Sequence, residues 1–319
     1  MTSETIRAAR IIPMIFPRRL FLGNAAADDD VVIKILCRSL LNCRANSVAH
    51  FFHVAINSDR QQGNSVQINF PDLRCVSTMK ISIVVPAFNE EKLIGKSLAR
   101  INLAAAAFHR TGWQTEMIVC DNNSTDQTAE IARANGAKVV FEPINQIARA
   151  RNCGAAAATG EWLVFVDADS QPSTELFADV ASEIKKGKAI AGGSTLRLDH
   201  PDLGARVVTE FWNRISRVTH WAAGAFIFCE TTAFRAIGGF SNELFTGEEL
   251  DLFKKLKRLA RKEKRQVVIL SRHPLLTSGR KVQLYRRREL GRFFLKALFR
   301  PMATMKNRDA CSPWYDGRR

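Results

Sequence analysis

From residue 79 onward the chain switches repeatedly between two hydrophobic periods. Short apolar runs at Ile81–Val85, Glu116–Cys120, Ala137–Phe141 and Trp162–Val166 are each bounded by turn-forming or acidic residues. Runs of that length read as strands buried on both faces, as in a parallel sheet. Between them lie stretches with helical spacing. One opens at Asn89-Glu90-Glu91 and runs to about Arg110, with acids in the first turn where the helix dipole favours them. A second follows Ser124 and Gln127, which have capping-box spacing, and closes at Gly136. A third, rich in alanine and carrying Arg149 and Arg151, spans Asn145–Thr159 and stops at Gly160. Strands alternating with helices predict βαβ units and an α/β fold.

The strand ends carry the chemistry. Three of these four strands run into polar or acidic groups, at Asn89-Glu90, Asp121-Asn122 and Asp167-Ala168-Asp169. In a parallel sheet all three clusters share one rim, where open α/β sheets bind ligands. Carboxylates and amides there suit a base and ribose, and helix N-termini suit phosphates. Asp167 and Asp169 are hard oxygen ligands able to hold a divalent cation against a phosphate. The plainer alternative is that Asp169 caps the next helix and Asp167 is a solvated strand end. No G-x-x-x-x-G-K-[ST] and no G-x-G-x-x-G after the first strand is present, which removes the P-loop and the dinucleotide fingerprint.

Composition adds a charge problem. The 319 residues carry a formal net charge of +16, which points to a polyanionic neighbour: nucleic acid, an anionic membrane or a phosphorylated substrate. Between residues 254 and 300, 17 Lys or Arg face only Glu263 and Glu289. Within it, Leu290–Arg300 mixes apolar and basic groups at helical spacing, as a helix lying on an anionic membrane does. A solvated basic helix packed on the domain would look the same. Nucleic acid is disfavoured, because no recognisable nucleic-acid module occurs. The seven cysteines are scattered without metal spacing, which suits reduced thiols. No apolar run is long enough to span a membrane. A cytoplasmic protein, peripheral on the inner face of the membrane, is the expectation.

Residues 1–78 differ in character, with scattered Arg, a Pro-broken apolar patch and Asp28-Asp29-Asp30 before a Val31–Leu41 segment. Met79 directly precedes the first core strand. Residues 1–78 are therefore expected to be a disordered extension or an upstream stretch misread as coding, the competitor being a small helical appendage on Val31–Leu41.

Taken in series, Ile-Val-Val-Pro-Ala-Phe-Asn-Glu-Glu (83–91), Val-Cys-Asp-Asn-Asn-Ser-Thr-Asp (119–126), Ala-Arg-Asn-x-Gly (150–154) and Ala-Thr-Gly-Glu-Trp-Leu-Val-Phe-Val-Asp-Ala-Asp (158–169) resemble the family 2 glycosyltransferases. Gly224–Phe228, Arg235–Phe240 and Gly247–Leu252 extend the resemblance, which covers about residues 79–282. It implies the GT-A fold, a Rossmann-like nucleotide-binding sheet (79–170) continuing as a mixed sheet into an acceptor half (171–282), with 283–319 as a basic tail. It implies an inverting transfer of sugar from a nucleoside-diphosphate sugar, UDP- or GDP-linked, to an acceptor hydroxyl, in glycan, glycolipid or cell-envelope synthesis.

The same resemblance assigns roles. Asp169 would ligate Mg²⁺ or Mn²⁺, and Asp167 would meet ribose or a metal-bound water. Asp121 would accept from the base, Pro86, Ala87, Phe88 and Glu90 would line base and ribose, and Asn122 stands where a second Asp is common. Arg151 is expected to fork onto the diphosphate, with Arg149 solvated. Glu249 would be the catalytic base, Glu248 its support and Asp251 structural. Arg280, in Thr277–Lys281, would close over the diphosphate, and His273 is a further metal candidate. A sugar-phosphate nucleotidyltransferase would need an activating basic loop after the first strand, which Pro86–Glu91 is not. A non-catalytic basic binding protein on the same fold would not need Asp167, Asp169 and Glu249 together.

Overall fold

The computed structural model describes residues 19–22, 66–69, 78–199, 202–280, 301–311 and 315. The chain divides into two units, residues 1–77 and 78–319. In the first, strands β1 (Arg19–Leu22) and β2 (Val66–Asn69) pair antiparallel. The expected Val31–Leu41 segment and the Leu290–Arg300 amphipathic stretch lie outside the described residues.

The second unit is built on an eight-stranded mixed sheet in the order β5-β4-β3-β6-β9-β8-β10-β7. Strands β3 (Lys80–Ala87), β4 (Gln114–Asp121), β5 (Lys138–Phe141) and β6 (Trp162–Val166) run parallel, so the three polar strand ends do share one rim. β7 (Ser170–Gln171), β8 (Ala189–Leu198), β9 (Phe226–Glu230) and β10 (Gln266–Thr277) complete the sheet. β9 is antiparallel to both neighbours, β6 and β8, and marks the change from the parallel part of the sheet to the mixed part.

Strand periodicity divides the core into two layers. Ile81, Ile83 and Val85 with Trp162, Val164 and Val166 face helices α1 (Ile94–His109) and α4 (Thr174–Lys186). Val84, Leu163 and Phe165 face the other layer, which includes α3 (Ile147–Ala156), α6 (Thr231–Ala236) and α7 (Glu248–Lys262). Among the described residues, the further α-helices are α2 (Thr128–Ala134), α5 (Leu203–Thr219) and α8 (Pro301–Met305).

Two local expectations are corrected. Ser124 does not cap α2; its Oγ accepts from the Asn89 N–H, and Asp126 Oδ1 accepts from Thr128 instead. α1 begins at Ile94, so Glu90 and Glu91 precede it: Glu90 O accepts the N–H groups of Leu93 and Ile94, and Glu91 Oε2 accepts from the Gln127 N–H.

At the opposite rim, Glu116 ties three elements together. It accepts from Ser82 Oγ at 2.5 Å and from the Thr159 N–H at 2.7 Å, and pairs with Lys80 at 2.9 Å. Burial alone would raise this carboxyl, but those hydrogen bonds outweigh it and hold it at about 2.

Candidate active site

The rim opens into a cleft between the ends of β3 and β6. Its lining includes Pro86, Ala87, Phe88 and Glu90 from the end of β3, and Asp167, Ala168 and Asp169 from the end of β6. Asn122, Ile147, Ala150 and Tyr315 close the other side.

The centre of the site is a buried guanidinium. Arg151, 1% exposed, donates to Glu248 Oε1 at 2.6 Å, to Asp167 Oδ1 at 3.0 Å and to the Gly224 carbonyl at 2.9 Å. Arg151 was expected on a diphosphate; the structure instead commits it to two carboxylates and a carbonyl. Burial opposes its charge, but Asp167 and Glu248 prevail and raise its pKa. Gly224 leaves the space this needs, since a Cβ there would lie 2.8 Å from Arg151 Nη2.

Glu248 and Glu249 open α7 after Gly247, whose φ of +72° turns the chain into the helix. Glu248 is buried against Arg151, and burial pushes it up against that partner's pull. Glu249 is half-buried beside the same cluster. Burial first, then the charge of Glu248, pushes its carboxyl up to about 8. Asp251 pairs with Lys255 at 2.7 Å along the helix, an i,i+4 ion pair.

Arg280 reaches the rim from the far end of β10. It donates to both Glu90 oxygens at 2.8 Å and lies 3.9 Å from Asp169 Oδ2. The backbone before it is tied to the same rim, with the Ser278 N–H donating to the Asp169 carbonyl. Lys281 lies outside the described residues.

Two expectations change here. Asn122 lines the cleft but its amide is consumed by backbone: Nδ2 donates to the Glu142 and Ile144 carbonyls, and Oδ1 accepts from the Gln146 N–H. That satisfies both its donors and leaves it a clamp rather than a reader of a base. Asp121 Oδ1 is turned onto the Ser124 N–H. His273 Nδ1 sits 2.8 Å from Asp179 Oδ2 on α4. Arg149 Nε donates to Gln146 Oε1 at 3.1 Å.

One cleft residue was invisible to the sequence. Tyr315 donates to the Phe245 carbonyl at 2.7 Å and its ring meets Phe245 edge-on at 5.6 Å. The Phe245 N–H in turn donates to the Met305 carbonyl at 2.7 Å. The described part of the tail thus packs on the loop that leads into α7. Only its sequence distance hid it.

Could the cleft hold a cation? Among the described residues no group of three or more His, Cys, Asp or Glu forms a cage. Two carboxylates at a rim fit Mg²⁺ or Mn²⁺, which keep waters and take substrate phosphate oxygens as the remaining ligands. Among the described residues no helix is long and apolar enough to cross a membrane.

Residues 82–236 match the model of glycosyl transferase family 2. The chain is 34% identical over 113 residues to an uncharacterised glycosyltransferase of Mycobacterium bovis, covering 35% of this chain and 47% of that protein. It is 31% identical over 124 residues to a dolichol-phosphate mannosyltransferase of Pyrococcus furiosus, covering 36% and 33%. An undecaprenyl-phosphate 4-deoxy-4-formamido-L-arabinose transferase of Klebsiella pneumoniae is 29% identical over 170 residues, covering 49% of each. The chain thus spans less than half the length of these relatives. A solved mannosyltransferase from Pyrobaculum calidifontis, in complex with GDP-Man and Mn²⁺, superposes with a TM-score of 0.53 at 17% identity, covering 81% of this chain and 68% of that one. The shared architecture is the GT-A fold.

Proposed function

We propose that the chain, whose residues 82–236 match glycosyl transferase family 2, acts as such an enzyme: its cleft binds a nucleoside-diphosphate sugar and passes the sugar, with inversion, to an acceptor hydroxyl. The observation that carries this reading is Arg151, whose guanidinium joins Asp167 on the donor side to Glu248 at the start of α7.

In a single displacement the acceptor oxygen attacks the anomeric carbon, the bond to the diphosphate oxygen breaks, and the acceptor proton passes to Glu249. The base must stand next to the donor carboxylates without pairing to them, and Arg151 sets that spacing by fixing Asp167 and Glu248 at once. Pro86, Ala87, Phe88 and Glu90 line the base and ribose, and Asp121 offers its second oxygen to a base N–H. Asp169 and Asp167 would hold Mg²⁺ or Mn²⁺, which supplies Lewis-acid stabilisation of the leaving diphosphate. Arg280, resting on Glu90 and near Asp169, is placed to turn onto that diphosphate. The acceptor belongs to glycolipid or cell-envelope synthesis, a reading supported by relatives named for dolichol phosphate and undecaprenyl phosphate. The basic stretch 283–300 would hold the enzyme to an anionic inner membrane face.

Incubation with a panel of UDP- and GDP-sugars and Mn²⁺, following diphosphate release, tests the reaction. Release from one donor class supports it; pyrophosphate exchange with a nucleoside triphosphate instead would indicate a nucleotidyltransferase.

A further inference from the structure

Helix α5 (Leu203–Thr219) is built inside out. The side chains it buries are Ala205, Asn213 and Ser216, small or polar. Those it exposes include Leu203 at 78%, Val207 and Val208 at 63%, Phe211 at 65% and Val218 at 81%. At about 100° per residue, Leu203, Val207, Phe211 and Val218 fall within about a quarter of the circumference, and Val208 widens the stripe. Helices of globular domains point such stripes at the core. This one is held the other way by specific bonds: Asn213 donates to the Leu196 carbonyl and accepts from the Leu196 N–H, both at 2.9 Å. Ser216 adds a bond to the Trp221 carbonyl at 2.6 Å.

The border of the stripe is basic. Exposed Arg206 and Arg217 edge it on one side and exposed Arg214 lies within it, and the single acid between them, Glu210, is matched by Arg217 at 3.3 Å and Arg214 at 3.8 Å. A large apolar face edged by arginine is the composition of a helix lying in a membrane interface, where the rings and aliphatics enter the acyl boundary and the guanidinium groups meet anionic headgroups. The placement is also functional. The loop 220–225 runs from the end of α5 into the site, where the Gly224 carbonyl accepts from Arg151 and the Ala225 carbonyl accepts from the Asp167 N–H.

We propose that the exposed face of α5 docks on an anionic lipid bilayer and holds the catalytic cleft at its surface. This stands apart from the proposed reaction, since vesicle binding is read without turnover, and from the basic stretch 283–300, since the substitutions that test it lie on α5 alone.

The test is flotation of the full chain with phosphatidylcholine vesicles, with and without phosphatidylglycerol. Wild type should float with the anionic vesicles. The double variant Val208→Ser, Phe211→Ser, at positions exposed to solvent, should lose about tenfold or more in partitioning while its thermal melt is unchanged. Arg206→Ala with Arg217→Ala should weaken binding to anionic vesicles only, in a salt-dependent way. Failure of wild type to float, or undiminished flotation of the Val208→Ser, Phe211→Ser variant, overturns the proposal. So does light scattering that finds a wild-type dimer split by the same two serines, because a second copy would then cover this face.

Discussion

Arg151 and Glu248, ninety-seven residues apart in the chain, meet at 2.6 Å with the arginine almost wholly buried. The same guanidinium holds Asp167 at 3.0 Å, so one side chain sets the distance between the carboxylate at the end of β6 and the start of α7. Removing one member of such a cluster leaves charges buried without a partner. Arg151→Met should therefore cost about 3–5 kcal/mol of stability, measured by urea denaturation. A loss below about 1 kcal/mol would mean that the two acids find other compensation.

How much of this could be read in advance depended on the range of the interaction. The strands were legible because Ile81–Val85 and Trp162–Val166 are short apolar runs whose alternate residues feed two separate core layers. The rim was legible because βαβ connections put Asp121 and Asp167 on the same side. What failed was local pattern overruled by distant partners. Ser124 has capping spacing, but its hydroxyl serves the Asn89 N–H. Arg151 reads in the sequence as a diphosphate contact because its partners, Glu248 and the Gly224 carbonyl, lie far away in sequence. Tyr315 enters the cleft through contacts with Phe245 that no sequence period encodes.

The proposed role of Glu249 as base ties activity to pH. Its carboxyl, pushed up to about 8 by burial and by Glu248, is protonated at neutral pH in the free protein. A base must be ionised, so kcat/KM should rise with pH and level off above about 8. The folded state also holds this proton more tightly than the unfolded chain does. Its contribution to stability therefore falls as pH rises from the ordinary carboxylate value towards 8. A pH–rate profile without an ascending limb near 8 would contradict the assignment.

Asp169 should govern the cation. Asp169→Asn is expected to weaken nucleoside-diphosphate binding in the presence of Mn²⁺ by at least about 10–100-fold, the loss that even outer partners of metal ligands cause. Binding without Mn²⁺ should change little. Calorimetric titration of UDP and GDP, with and without the ion, separates the two, and equal loss in both would assign Asp169 to the nucleotide itself.

The opposite rim makes a stability prediction independent of catalysis. Glu116, held at about 2 by Ser82, Thr159 and Lys80, stabilises the fold above the ordinary carboxylate range and stops doing so as pH falls through 2. Glu116→Gln should cost about 1.5–3 kcal/mol at neutral pH, the range for a hydrogen-bonded charged group. The gap to wild type should close as the solution is acidified towards pH 2. Thermal melts across pH would expose a constant gap if the charge were irrelevant.

The most direct test of the central claim is Glu249→Gln, assayed for turnover and for donor affinity side by side with the donor that the wild type accepts. On the proposed role of Glu249 as general base, the variant should lower turnover by about 10²–10⁴-fold while the nucleotide-sugar Kd stays within a factor of about two, because that role concerns the acceptor proton and not the donor. Unchanged turnover, or a collapse of donor binding with the chemical rate preserved, would contradict it.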